Sequence, residues 1–431
     1  AKPKAVPVNL DAIKVGYDYW QDNFSKQDPY RLEPMTGAVE GRVLVEGNQA
    51  AAIGALMGGV TVVAWYPITP SSSLCEYLIA YADRFRVDEK NGEKRISVVQ
   101  AEDELAAVGM AIGAGWAGAR AMTSTSGPGI SLMAEFSGLA YYAEVPVVIF
   151  DIQRIGPSTG LPTRTSQADL GFVYTLSHGD TKHLVLLPGS VEECYEFARD
   201  AFDYADRFQT PVFVLSDLDL GMNLWMTPEF KYPDKPFDRG KVLSRDDLER
   251  IAGEWGRYRD VDGDGVTYRT IPGTDHPAAG YFTRGSGHDE MARYTESADA
   301  YARNMDRLAR KLETARHALP APVVEESGQK VGLIAFGSTH AAVVEARESV
   351  KVDYMRVRAL PLSDAVTEFV SRHERVYVVE QNRDGQLYDL VRLALPAHLI
   401  DRVRSIRHYN GQPIPAAAIV EPLQAREAVP V

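Results

Sequence analysis

Thr69, Glu104, Ser126 and Arg154 are residues of types that move protons or hold anions, and each follows a short apolar segment. Glu104 opens the small, apolar run Leu105-Ala106-Ala107-Val108-Gly109-Met110-Ala111-Ile112-Gly113-Ala114, so its helix is expected to pack tightly and its carboxyl to be partly desolvated. Desolvation raises a carboxyl's pKa and suits it to share a proton with a nitrogen base. Arg154 lies in a loop holding two glycines, a proline and several hydroxyls. A planar guanidinium there engages two carboxylate or phosphate oxygens at once, and an ion pair with a loop carboxylate is the structural alternative. Ser126-Gly127-Pro128-Gly129 can cradle an anion at a helix start, but it lacks the Gly-Lys-Ser/Thr ending of a nucleotide-binding P-loop. Thr69 sits in Tyr66-Pro67-Ile68-Thr69-Pro70-Ser71-Ser72-Ser73, at an N-cap position with Pro70 first in the helix. Alone it reads as a cap. Glu102 and Asp103 read as first-turn acids that complement the helix dipole.

The elements that must position these residues alternate regularly. Strands are expected over 60–64, 96–99, 120–124 and 145–151, separated by helices over 70–85, 103–117 and 130–142. A strand at 184–187, a helix over 191–206 and a strand at 211–216 continue the series. Helix-length periodic segments between short β-branched strands predict an α/β fold with a parallel sheet and right-handed crossovers. In such a sheet the carboxyl ends of the strands share the edge where ligands bind, so Thr69, Glu104, Ser126 and Arg154 should converge.

Four regions are expected along the chain. Residues 1–41 form a polar, proline-punctuated connector with one helical stretch over 9–19. Residues 42–230 carry the dense alternation, and 231–327 form a polar insertion or bridge ending in the helical run Ala298–Arg316. Residues 328–431 form a smaller α/β unit with strands at 331–335, 355–357 and 376–379 and helices over 338–349 and 363–372.

Composition narrows the function classes. With 431 residues, 45% hydrophobic and 24% charged, the chain is expected to be globular and soluble. Its net charge of -13 disfavours nucleic-acid binding, which needs clustered cations. Its two cysteines, Cys75 and Cys194, form no CxxC, so neither a disulfide framework nor a four-cysteine cluster site is expected, and a reducing cytoplasm is indicated. The longest apolar runs are strand-sized, with neither a membrane span nor a signal peptide. A serine hydrolase lacks its Gly-x-Ser-x-Gly elbow here, and His178 and His183 have no identified nucleophile. Asp260-Val261-Asp262-Gly263-Asp264-Gly265 has calcium-loop spacing, but Ile271 stands where the bidentate glutamate belongs, so a solvated turn is favoured. His288, Asp289 and Glu290 have no supporting ligand spacing. No metal ligands are assigned.

Taken together, Tyr66 through Ser72, Gln100 through Glu104 with Ala107, Gly109 and Gly113, the segment 154–163, and Tyr409-Asn410-Gly411-Gln412-Pro413-Ile414 carry a resemblance. The chain resembles the α subunit of 2-oxoacid:ferredoxin oxidoreductases over about residues 42–415, most closely the 2-oxoglutarate (2-ketoglutarate) branch. The resemblance implies a pyrimidine-type thiamine diphosphate domain followed by a smaller domain like the C-terminal domain of transketolase. It implies that Glu104 exchanges a proton with N1′ of the aminopyrimidine, with Tyr66, Pro67, Ile68, Thr69 and Ser126 lining the cofactor. Arg154 is implied to hold the substrate carboxylate, with Thr69 and Thr159 donating hydrogen bonds. The implied reaction oxidatively decarboxylates 2-oxoglutarate with coenzyme A to succinyl-CoA and passes electrons to ferredoxin.

Two departures from the family pattern carry consequences. No thiolate set and no Gly-Asp-Gly followed by Asn at magnesium spacing is present. The resemblance therefore assigns the diphosphate, Mg2+ and a 4Fe-4S cluster to a β subunit, in an assembly expected to be (αβ)2. Residues 9–17 resemble the end of a preceding domain, so the chain is expected to be a truncated or processed piece. Pyruvate or another 2-oxoacid as substrate remains the alternative, as does a non-catalytic scaffold subunit. Arg164 and Lys182 are equal candidates to meet a second substrate carboxylate.

Overall fold

A computed structural model describes residues 4–251 and 255–426. The outermost residues of the expected connector and last region, and three residues of the bridge, lie outside the described residues. The chain divides into two compact units, Ala1–Arg42 and Val43–Val431. In the first, α1 (Ala5–Asn23) extends the expected 9–19 helix at both ends and buries none of its side chains.

From the boundary onward, β1 (Arg42–Glu46) leads into α2 (Gly47–Met57). There follow β2 (Val62–Trp65), α3 (Ser72–Phe85), β3 (Ser97–Gln100), α4 (Glu104–Trp116) and β4 (Ala121–Thr125). The chain continues through α5 (Gly127–Leu132), α6 (Ala134–Ala143), β5 (Val147–Gln153), α7 (Leu170–Tyr174), β6 (Leu184–Leu186), α8 (Val191–Phe208) and β7 (Pro211–Asp217). β2 to β7 form the expected parallel sheet, in the order β6-β7-β5-β4-β2-β3. β8 (Leu224–Pro228) pairs with β1. After the insertion come β9 (Val323–Glu325), β10 (Val331–Ala335), β11 (Asp353–Arg356), β12 (Ala359–Leu360), β13 (Arg375–Glu380) and β14 (Val403–Arg407). A second sheet has the order β14-β13-β10-β11-β9, parallel except for β9. The short β12 leaves it and joins the first sheet, antiparallel to β6.

Burial explains the arrangement. Every residue of β5 and β7 is buried, as expected of central parallel strands with both faces covered. One face of the large sheet packs on α2, α3 and α8 through Leu56, Leu78, Phe150, Phe202 and Val214. The other face shares its core with the second sheet, where Val108, Ile149 and Phe213 belong to one cluster with Ile334, Met355 and Phe369. Among the described residues no helix is long and apolar enough to cross a membrane.

Two expectations need correction. The helix expected over 130–142 is two helices, α5 and α6, meeting at Met133, which serves as C-cap of one and N-cap of the other. Small and apolar residues continue across the junction, so periodicity alone does not reveal it. Tight packing of α4 holds for one face only. A Cβ at Gly115 would stand 2.0 Å from the Pro146 carbonyl oxygen, whereas nothing lies within 4 Å of one at Gly113. Leu105 and Met110 on that open side are exposed.

Candidate active site

The parallel register brings the loops after β2, β3, β4 and β5 to one edge. Ala101 N–H, just past β3, donates to the Trp65 carbonyl at 2.8 Å, which ties the approach to Glu104 to the approach to Thr69. Asp103 then caps α4 by accepting from Ala106 N–H at 2.7 Å. Asp103 is thus the N-cap and not a first-turn acid, a place that Glu104 takes instead. Glu104, the first residue of α4, is 7% exposed. Its side chain lies against α5, where a Cβ at Gly129 would stand 2.8 Å from Glu104 Cγ and 2.0 Å from Thr125 Oγ1. Only a glycine lets the two loops approach this closely.

Arg154 is the first residue beyond β5 and is 8% exposed. Its Nη1 donates to the Thr69 carbonyl oxygen at 2.7 Å, spanning from β5 past β4 to the β2 loop. Its Nε has no partner among the described residues. Burial pulls the guanidinium's pKa down, while the nearby Asp169 and Glu104 carboxyls act against that. Ser126 is fully buried at the N-cap position of α5, and its hydroxyl likewise has no partner among the described residues.

Thr69 reaches the site differently from the expectation. The Thr69–Pro70 peptide is cis, the helix begins at Ser72, and the N-cap is Ser71. The Ile68 carbonyl, not Thr69, accepts from Ser72 N–H, at 3.0 Å. Asn48 of α2 fixes the bend by donating to the Pro70 carbonyl at 2.9 Å and to Ser73 Oγ at 2.8 Å. Thr69 thus offers its backbone carbonyl to Arg154 and leaves its side chain exposed. Tyr66 and Ile68 are half-buried and Pro67 is exposed on the same bend.

Other expected residues separate from this cluster. Thr159 lies at an exposed turn closed by the Ile155–Leu161 bridge, whereas Arg154 is buried. Lys182 precedes β6 and lines a cavity with Tyr141 and Thr210, at the amino edge of the sheet and so on the wrong side. Arg164 stays on the loop beyond Arg154, exposed, with the Gly411 turn packed against its Cβ. That turn is the Tyr409–Ile414 motif, and the Gly411 carbonyl accepts from Thr165 N–H at 3.2 Å. His183 is a buried core histidine with Nε2 2.9 Å from the Leu176 carbonyl, and burial pulls its pKa down to about 4.

In the insertion, Asp260 closes a turn by accepting from Gly263 and Gly265 N–H, and it pairs with Arg310 at 2.6 Å. Lys241 pairs with Asp262 at 2.6 Å and with Asp264 at 2.8 Å. The solvated-turn reading therefore fits these carboxylates. His288 is buried and stacked on Tyr258 with ring centroids 3.9 Å apart.

Residues not singled out from the sequence complete the edge. Asp151, two residues before the end of β5, is fully buried, and Asp169 faces it from the segment leading into α7. Gln153 Oε1 accepts from Asp169 N–H at 3.0 Å while its Nε2 donates to the Ser216 carbonyl at 3.1 Å. The second sheet holds this segment too. Gln167 donates to the Phe336 carbonyl at 3.0 Å and accepts from Thr339 Oγ1 at 2.9 Å, and Gln386 Nε2 donates to the Ala168 carbonyl at 2.6 Å. A signal for Asp151 existed: it is a carboxyl inside the otherwise apolar strand Val147-Val148-Ile149-Phe150. Asp169 had none.

Several known proteins resemble the chain. Residues 53–228 match the family described as "Pyruvate flavodoxin/ferredoxin oxidoreductase, thiamine diP-bdg". The α subunit of 2-oxoacid:ferredoxin oxidoreductase 2 from Aeropyrum pernix is 36% identical over 96% of this chain and 65% of its own length. The 2-oxoglutarate synthase subunit KorA of Methanocaldococcus jannaschii is 32% identical over 84% of this chain and 96% of its own. The solved structure of 2-oxoglutarate:ferredoxin oxidoreductase from Magnetococcus marinus with 2-oxoglutarate, coenzyme A and succinyl-CoA bound superposes with a TM-score of 0.86 at 29% identity. It covers 98% of this chain and 71% of that one. The chain spans 65% and 64% of the length of two such curated α subunits, from Aeropyrum pernix and Saccharolobus solfataricus.

Proposed function

Because this chain belongs to the family of 2-oxoacid:ferredoxin oxidoreductase α subunits, which includes 2-oxoglutarate synthase KorA subunits, we propose that it is the α subunit of a 2-oxoglutarate:ferredoxin oxidoreductase. In this reading the complex converts 2-oxoglutarate and coenzyme A to succinyl-CoA and carbon dioxide, reversibly, with ferredoxin taking the electrons. The observation that carries it is the cluster of Glu104, Ser126 and Arg154. Three buried polar side chains meet at one sheet edge, and the Ser126 hydroxyl and Arg154 Nε have no partner among the described residues. Buried polar groups normally pair. Orphans on a ligand-binding edge are suited to a cofactor and a substrate.

The residues present fit the pyrimidine end of thiamine diphosphate. Glu104 offers a carboxyl to hold and return a proton at N1′, Ser126 offers a hydroxyl, and Gly127 and Gly129 let Asp169, Thr125 and Glu104 pack closely against the loop that carries Ser126. Tyr66, Pro67 and Ile68 supply the apolar side of the bend. When bound, the cofactor supplies the electron sink for decarboxylation. Arg154 binds and orients the substrate carboxylate, tied to Thr69 through the backbone, with the Thr69 and Thr159 hydroxyls as further donors. Mg2+, the diphosphate site and a 4Fe-4S cluster are assigned to a β subunit, in an (αβ)2 assembly. The exposed apolar residues Val99, Leu105, Met110 and Leu132 on β3, α4 and α5 support burial of that face by a partner.

A second reading keeps the chemistry but takes pyruvate or another 2-oxoacid. It is favoured by the position of Lys182 on the opposite edge, which leaves Arg164 as the one remaining candidate of the two for a second carboxylate. Turnover of 2-oxoglutarate and pyruvate by the reconstituted complex separates the readings. A preference for 2-oxoglutarate is expected, and a preference for pyruvate overturns the assignment.

A further inference from the structure

Behind Arg154 lies a pair of carboxyls that the proposed reaction does not use. Asp151 and Gln153 are two apart on β5 and therefore share a face. Gln153 fixes Asp169 by its backbone N–H, which turns the Asp169 carboxyl onto that of Asp151, within hydrogen-bonding reach. Both oxygens of Asp151 and Oδ2 of Asp169 have no hydrogen-bond partner among the described residues. On the far side, a Cβ at Gly127 would stand 2.7 Å from Asp169 Oδ2, so the pair also touches the loop that carries Ser126.

Two buried carboxylates in contact cannot both be ionised. No described residue donates a hydrogen to these three oxygens, and a proton held between the two carboxyls satisfies them. No group of three or more acidic, histidine or cysteine side chains that could hold a metal ion occurs among the described residues. We propose that Asp151 and Asp169 hold one proton between them and that the single negative charge left on the pair positions the Arg154 guanidinium. The charged groups around the pair are Arg154, which faces Asp169, and Glu104, which faces Arg154. Together with Glu104, one net charge on the pair holds Arg154 in place; a second would compete more strongly with an incoming carboxylate for the guanidinium, and none would leave it facing Glu104 alone. The electrostatics agree: burial, then the neighbouring Asp169, pushes the Asp151 carboxyl well above its usual range. Burial also pushes Asp169 up to about 6, with Asp151 and Arg154 acting against it. Asp151 and Asp169 are thus positioning residues, and this role rests on the proposed binding of a 2-oxoacid carboxylate by Arg154.

The test is the infrared spectrum of the assembled complex at pH 8 with its aspartate carboxyls labelled with carbon-13. A label-sensitive band of a protonated aspartic acid is expected, and its absence overturns the proposal. The band should vanish in Asp151→Asn or in Asp169→Asn, whichever folds; persistence in a folded variant overturns it. Arg154→Ala leaves the pair intact and should move the fading of the band to higher pH, because the opposing cation is gone. An unmoved band breaks the link to Arg154. Kinetically, Asp169→Asn should raise KM for the 2-oxoacid about tenfold with a smaller change in kcat; an unchanged KM in a complex that turns over a 2-oxoacid counts against positioning. A complex that turns over no 2-oxoacid at all, yet shows the band, defeats the proposed function and leaves the shared proton standing.

Discussion

Glu144 and Asp151 are both carboxyls with almost no exposure, 1% and 0%, yet their surroundings differ completely. Glu144 sits at the end of α6 beneath the insertion, with Arg307 on both its oxygens and Lys311 at 2.7 Å. Arg257 donates to its carbonyl at 2.8 Å, and Arg307 also reaches Gly265 O and Asn304 Oδ1. Burial opposes ionisation there, but Arg307 and Lys311 outweigh it and hold Glu144 well below the usual carboxylate range. At the sheet edge, Asp151, Asp169 Oδ2, Ser126 and Arg154 Nε are all left without partners among the described residues. The two carboxyls lie equally deep, so their partners and not their depth set them apart. Around Glu144 both carboxylate oxygens are paired, although Arg257 Nε beside them has no partner among the described residues; at the edge the Ser126 hydroxyl and Arg154 Nε stay open to a ligand, and the two aspartates are left to one another.

The open edge should govern function and the Glu144 network stability. Glu104→Gln should lower kcat of the reconstituted complex about a hundredfold or more, the typical contribution of a general acid–base group, with the unfolding transition little moved. Activity within tenfold of the unaltered complex would favour the scaffold reading. Glu144→Ala should do the reverse. It leaves Arg307 and Lys311 buried without their anion, which is expected to destabilise by about 3–5 kcal/mol, measured by denaturant unfolding. If the variant unfolds like the parent, the closed network does not fasten the insertion.

What the sequence disclosed follows from the same contrast. Thr69, Glu104, Ser126 and Arg154 could be placed together because parallel strands put their carboxyl ends on one edge whatever the detailed packing. Only relationships carried by a regular element were readable in that way. Asp169 is brought over Asp151 by Gln153, Gln167 and Gln386, the last from the helix that follows β13. No local pattern encodes such an approach. Lys182 was a candidate cation for a second carboxylate, but it enters β6 from the amino edge. Thr69 was read as a cap because Thr-Pro before a periodic run has that signature, and the Asn48 side chain that redirects the bend lies in an earlier helix. β12 escaped because two residues carry no strand periodicity and its partner β6 is remote in sequence.

The open region should also carry a measurable folding penalty. Asp169 binds its proton with a folded-state pKa near 6 against an ordinary value of 3.8. Between those values the folded state holds more protons than the unfolded one, so the contribution to stability is complete below about pH 4 and is lost as pH rises through 6. Asp169→Asn removes that loss. The variant should match the parent near pH 4 and exceed it by up to about 3 kcal/mol above pH 7, read from urea unfolding at both values. Destabilisation above pH 7 would mean that the carboxyl is held by contacts and not merely tolerated.

Thr159 tests where the open region ends. Its turn is exposed and closed by the Ile155–Leu161 bridge, while Glu104, Ser126 and Arg154 are buried. A hydroxyl at such a place can meet substrate only at the rim, where a neutral hydrogen bond contributes about 0.5–1.5 kcal/mol. Thr159→Val should therefore raise KM for the 2-oxoacid by a few-fold at most, with kcat and the unfolding midpoint unchanged. A loss comparable to that of Glu104→Gln would move the boundary outward, because it would require the turn to close over the bound substrate and join the unsatisfied groups behind Arg154. An unchanged KM would draw the boundary at Arg154 itself, and substrate recognition would then rest on side chains that folding has already buried.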